Sequence, residues 1–239
     1  LRKAKAFQYD YRKWGFMMAA PVGHLYLAIQ ILSGPLCEVK ERDFLIGTLF
    51  PDIRYPAQIA RELTHKSHVT WQEIINEKDP FMQGILFHSF VDEKREEYIR
   101  KNGLYNLLPK LPHASSCLKG TEDILLLKKI KDNKVIRYLD EILEHEKHLV
   151  SNESIIKDWH TALQNYFFYG PTPQTIRPLI RDSIPELGKL KAIAEIGASY
   201  GFKFETYVIS LDQNLTNSIM KFYENFEQLF LKNVATLDR

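Results

Sequence analysis

The sequence predicts an all-α protein, a compact multi-helix single domain. Three observations carry this. Apolar residues recur at three- and four-residue spacing through most of the chain, and capping and breaking signals punctuate those runs. Only KFETYVISL (203–211) shows a strand-like alternation, and it is short. With 239 residues, 45% of them hydrophobic and 12% aromatic, the chain can fill a core and is no disordered segment. No stretch reaches the ~20 apolar residues needed to cross a bilayer.

Residues 1–17 are basic and aromatic and read as an N-terminal extension. The apolar part that follows runs into Pro21 and His24, a poor signal-peptide core. The helical domain then spans 18–239. Pro21 suits a first helical turn, and HLYLAIQIL runs apolar to a Gly34-Pro35 stop. ERDFLIGTLF is ended by Pro51, which pushes its predecessor out of the helical region. Thr70-Trp71-Gln72-Glu73 is a capping box, and Asp79-Pro80 opens a long helix that closes at Asn102-Gly103. Residues 103–120 hold two prolines, two glycines and a Ser-Ser pair, and read as a long surface connection. Helical patterns follow at 121–131, 133–150, 152–169, 173–182, 188–200 and 203–234. The first helices are apolar nearly all round and need a second layer to bury them, which argues for one domain.

Charge and cysteine content narrow the function. Lys+Arg 32 against Asp+Glu 30 gives +2, which lacks the basic excess of a nucleic-acid binder. Neither does any helix show the strongly basic amphipathic face of a membrane-surface protein. Cys37 and Cys117 are too few for a disulfide scaffold, so the expected compartment is reducing and cytoplasmic.

Several polar side chains fall where a core prefers none. On the helix from Pro80, His88 lies among Phe81, Ile85, Phe87, Phe90 and Val91, with Asp92 one turn on, on the same face. Asp52 follows GTLFP at the mouth of an apolar helix, and His24 sits one turn into another. His65 and His68 lie in a loop before the capping box. Each alone has a structural explanation: a His–Asp pair on a half-buried face, a turn residue, a packed histidine, solvated loop residues. Together they form a nitrogen and oxygen ligand set suited to zinc or a similar divalent ion, with His88 and Asp92 able to face one ion.

Four segments carry a resemblance: PVGHLYLA (21–28), GTLFPDIRY (47–55), RELTH (61–65) and GILFHSFVD (84–92). In order and spacing they resemble the bacterial zinc-dependent phospholipase C family, related to P1-type nucleases, over about residues 18–100. The resemblance implies a helical fold with one to three clustered zinc ions that hydrolyses phosphate esters. Asp52, His65, His88 and Asp92 would hold one metal, and His24 a neighbour bridged through Asp92. His65 matches the Arg-x-x-Thr-His context, which leaves His68 as the reserve ligand. Metal-activated water would be the nucleophile, with Asp52 as the catalytic residue that positions or deprotonates it. The substrate would be a small-molecule or lipid phosphate ester.

The family also uses the mature chain's N-terminal amine as a ligand beside the residue matching His24, where several residues precede that histidine here, and a later His-x3-Glu, which does not occur here. It has the reverse, Glu141-x3-His145 and Glu144-x3-His148. His145 and His160 lie toward apolar stripes, open to roles as second-site ligands or as packed, hydrogen-bonded residues. A second function class is a non-catalytic all-α module with a structural metal or a His–Asp core. Its aromatic stretches at 166–169 and 221–226 would serve either as a partner surface or as helix faces in the core. An HD-type phosphohydrolase wants an adjacent His-Asp pair, which does not occur here.

Overall fold

The computed structural model describes residues 21–34, 36, 38–111, 113–130, 134–181 and 191–235. Among these every α or 3-10 element is helical and no strand occurs, so the all-α class holds. The extension at 1–17 lies outside the described residues.

Helix α1 (Pro21–Leu32) is apolar almost all round, and Val22, Leu25, Leu27, Ala28 and Ile31 are buried. Its neighbours are α2 (Glu41–Leu49) and α6 (Ala114–Leu127). A 3-10 turn (Pro51–Ile53) and the short α3 (Arg54–Ala57) follow α2. The capping box at Thr70 forms, with both reciprocal bonds, and opens α4 (Trp71–Asn76). Asp79 caps α5 (Pro80–Lys101): its Oδ1 accepts the Phe81 and Met82 amides at 2.9 and 3.4 Å.

The crossing of α2 and α5 positions the site. A Cβ on Gly84 would meet the Phe44 carbonyl oxygen at 2.2 Å, and one on Gly47 would meet the Phe81 carbonyl oxygen at 2.1 Å. Only hydrogen at both positions lets the two backbones touch. Phe44, Phe81 and Phe87 fill the core around the crossing.

Three sequence boundaries move. The stretch 103–120 is not a surface connection throughout. A 3-10 turn (Leu104–Leu107) is followed by α6, whose first half buries Ala114, Ser116, Cys117 and Leu118. Gly120 sits inside that helix, where a Cβ would press on the Phe202 ring at 2.7 Å. The pattern at 133–150 splits into α7 (Lys134–Tyr138) and α8 (Glu144–Leu149). The break is held by one distant and one local contact: the Leu139 carbonyl accepts from His160, and Glu146 reaches back to accept the Leu143 amide at 2.8 Å, capping α8. Finally, the strand-like 203–211 belongs, up to Ser210, to a continuous helix, α11 (Lys191–Ser210), ahead of α12 (Gln213–Ala235). Phe202, Glu205, Thr206 and Ile209 form its buried face at helical spacing, so the alternation was incidental.

Helices α9 (Glu153–Tyr169) and α10 (Pro173–Ile180) complete the fold, with α11 packed on α6 and α10. The two aromatic stretches are mostly core: Tyr166, Phe167, Phe222, Tyr223 and Phe226 are buried, and Phe168 and Tyr169 are exposed. No helix is long and apolar enough to cross a membrane among the described residues.

Candidate metal centre

Five side chains from four separate segments converge beside the α2–α5 crossing. The ring of His88 reaches back across it, and its Nδ1–H donates to the Thr48 carbonyl at 2.9 Å. A carbonyl only accepts, so the ring's other nitrogen, Nε2, carries a lone pair when the imidazole is neutral. That Nε2 is buried and has no hydrogen-bond partner. It faces Asp92 Oδ2 at 3.7 Å and Asp52 Oδ2 at 3.9 Å, both beyond hydrogen-bonding reach.

His24, from the second turn of α1, stacks on His88 with ring centroids 3.9 Å apart and planes 13° from parallel. Its Nε2 stands 3.4 Å from Asp92 Oδ1, while its Nδ1 is buried without a partner. His65 meets His88 edge to face from the other side, at 5.0 Å. Its Nδ1 is 2.9 Å from Thr64 Oγ1, whose hydroxyl donates to the Arg61 carbonyl at 3.4 Å. With that hydroxyl proton engaged, Nδ1 carries the ring hydrogen and Nε2 is left as an acceptor.

The result is two overlapping groups, His24–His88–Asp92 and Asp52–His65–His88, each with ligand atoms all within 4.8 Å of one another. A buried, partnerless His88 Nε2 facing two carboxylates, with the imidazoles of His24 and His65 beside it, suits a borderline divalent ion. The ring hydrogens of His88 and His65 are each held by a backbone or hydroxyl oxygen, as zinc-ligating histidines characteristically require.

The electrostatics agree with ligand roles. Burial, then the neighbouring His88, pushes His24 down to about 4; burial, His88 and Arg61 push His65 down to about 2. Both rings are therefore neutral near pH 7 and offer lone pairs. Burial raises the Asp52 carboxyl above its ordinary value. Burial acts on Asp92 in the same direction, but Lys119, His24 and His88 together outweigh it and hold Asp92 well below the carboxylate range. Asp92 keeps 27% of its side chain exposed and Asp52 13%, so the cluster opens to solvent along its carboxylate edge.

The remaining candidates separate clearly. His68, the reserve ligand, is 91% exposed in a left-handed backbone conformation and pairs with Glu93 at 3.5 Å. His145, on α8, packs against the start of α5, pairing with Asp79 at 2.9 Å and stacking on Phe81. His160 is buried with both nitrogens engaged, Nδ1 on the Leu139 carbonyl at 3.0 Å and Nε2 on Glu146 Oε1 at 2.8 Å. Neither completes a second ligand set, and His148 is exposed.

Three residues that the sequence did not single out shape the site. Lys119, on α6, brings Nζ to 3.8 Å from Asp92 Oδ1. Asp123, one turn further along α6, accepts the Gly23 amide at 3.0 Å and the Tyr166 hydroxyl at 2.9 Å. It thereby anchors the first turn of α1 one residue before His24. Gly47 is the other half of the helix crossing. None had a signal of its own: a lysine among many, an acid in an amphipathic helix, and a glycine noted only as the start of the GTLFPDIRY segment.

Comparison with protein-family models, with curated proteins and with solved structures gave no match. The resemblance to the zinc-dependent phospholipase C family thus rests on the four sequence segments alone.

Proposed function

We propose that the cluster holds a divalent metal, zinc by its donor set, and that the protein is a phospholipase C-like hydrolase of phosphate esters. The observation that supports this most directly is His88 Nε2, a buried nitrogen facing two carboxylates and bonded to nothing. Such an atom costs about 1–3 kcal/mol unless a ligand satisfies it. His24, His88 and Asp92 would hold one ion and Asp52 and His65 would extend the set around His88, with one to three ions in all. When bound, zinc supplies Lewis acidity and an activated water near neutral pH.

The chain's own groups favour catalysis over a closed structural site. Asp52, at the solvent edge with a raised carboxyl, is placed to orient a water and take its proton. Lys119 and Arg54 bring positive charge to the same mouth, where a phosphoryl group would meet it. Recognition of phosphate then comes from charges beside the cluster and needs no basic outer surface, consistent with a +2 chain. Small-molecule and lipid phosphate esters fit this equally. A cytoplasmic setting belongs to the same reading and rests on the two-cysteine count.

The test is zinc content by elemental analysis together with hydrolysis of a chromogenic phosphodiester, in wild type and His88→Ala. Zinc and activity in wild type, both lost in the variant, support the reading. Wild-type protein that takes up no metal overturns it.

A further inference from the structure

Helix α11 is built inside out. Its buried face carries Glu195, Ser199, Phe202, Glu205, Thr206 and Ile209, four of them polar. Its exposed face carries Ile193, Ile196, Tyr200, Phe204, Tyr207 and Leu211 (just past its end), each between 44% and 66% exposed. Their spacings of three and four residues keep all six within an arc of about 80° at 3.6 residues per turn. The stripe runs ~27 Å along the helix. Lys203 is an exposed charge at one margin. At the other lie Gly197 and Gly201, where an added Cβ would meet nothing within 4 Å.

Scattered exposed apolar residues need no explanation, but a continuous stripe of this size does. At their exposures, six such side chains offer roughly 700–800 Å² of apolar surface, more than the ~300–600 Å² largest patch of a typical monomer. One partner in a standard protein interface contributes about 800 Å². The amount therefore matches one half of a dimer interface.

The order of the residues identifies the occupant. Ile193 lies seven residues before Tyr200 and Tyr207 seven after; Ile196 lies four before and Phe204 four after. From Ile193 to Tyr207 the stripe is thus matched to itself when reversed about Tyr200, with an aliphatic side chain opposite an aromatic one at each pair, and Leu211 extends it beyond the matched part. A two-fold axis through an interface demands this self-complementarity, since each patch must meet its own copy. We propose that α11 is the interface of a homodimer, two copies packing antiparallel with Tyr200 against Tyr200 at the two-fold. This inference is independent of the metal site.

Sedimentation equilibrium on the full chain tests it, joined to cysteine cross-linking in a Cys37→Ser background in which the remaining cysteine, Cys117, is buried. Wild type sediments as a dimer, and Phe204→Glu weakens association at least ~30-fold with an unchanged helical circular-dichroism spectrum. Tyr200→Cys cross-links to itself under mild oxidation. Ile193→Cys cross-links to Tyr207→Cys in a mixture and not to itself, which fixes the antiparallel register. A monomer throughout the micromolar range overturns the proposal. So does a dimer indifferent to Phe204→Glu. A monomer that binds phospholipid vesicles through this face, or in which Tyr200→Cys is shielded from alkylation by the chain's own residues, overturns it equally.

Discussion

His160 and His88 are both buried histidines beside carboxylates, and the protein treats them oppositely. At His160 every polar atom finds a protein partner: both ring nitrogens are bonded, and Glu146 also accepts the Leu143 amide. At His88 the backbone takes one nitrogen and nothing takes the other, although two carboxylates stand 3.7 and 3.9 Å away. A saturated pair has no valence left for a ligand and can only hold structure. An unsaturated one carries an energetic deficit that a bound ion would relieve. The two imidazoles are almost equally buried, although Glu146 is sealed in the core and Asp52 and Asp92 reach solvent. Hydrogen-bond saturation distinguishes them.

The contrast can be broken from either side. His88→Ala removes the shared donor of both ligand groups, and isothermal titration with zinc should show binding abolished while the chain still folds. His160→Ala should do the reverse. It strands Glu146, which is fully buried, at a cost of about 3–5 kcal/mol for a broken buried pair, with zinc uptake per folded molecule unchanged. Urea denaturation and titration of both variants measure the crossover. Equal loss of stability with equal retention of zinc would erase the distinction between the two histidines.

Gly84→Ala sharpens it further. The added methyl would meet the Phe44 carbonyl at a distance no real contact shows, so α2 and α5 must separate at a cost of about 2–3 kcal/mol. Separation carries the Thr48 carbonyl away from His88, so zinc affinity should fall along with the melting temperature. The same substitution leaves the His160–Glu146 pair untouched.

A smaller effect concerns Asp123, which anchors α1 behind His24. Burial pushes its carboxyl up to about 8 despite the Tyr166 and Gly23 donors. Between its ordinary value of 3.8 and about 8 the folded protein therefore keeps a proton that the unfolded chain has released. This group's contribution to stability is full below that window and declines as pH rises through it, by at most ~1.4 kcal/mol per pH unit. Urea titrations at pH 6 and pH 7 should show the decline in wild type and a flatter dependence in Asp123→Asn.

The ligand candidates were legible because polar residues inside apolar helical runs stand out against their neighbours. His24, His88 and Asp92 were visible in this way, as were Asp52 after its proline and His65 in its loop. His65 could not be separated from His68 by composition, since both sit in one loop three residues apart. The backbone decides it: His65 turns inward against His88, while His68 takes a left-handed conformation and faces solvent. Lys119 was invisible because the first half of α6 lies where the proline and glycine content suggested a connection, and Asp123 because an acid in an amphipathic helix reads as solvated. Those breakers cluster before Ala114, and Gly120 is tolerated in the helix because Phe202 needs the space.

By itself the sequence determined the helical class, the capping at Thr70 and Asp79, and the residues able to bind an ion. All of these follow from local periodicity, local hydrogen bonds and side-chain chemistry. Only the tertiary structure decided which histidines are left with a free lone pair and which way α11 faces. Saturation of a nitrogen and burial of a helix face depend on partners distant in the chain. The Thr48 carbonyl is forty residues from His88, and no local pattern encodes that distance.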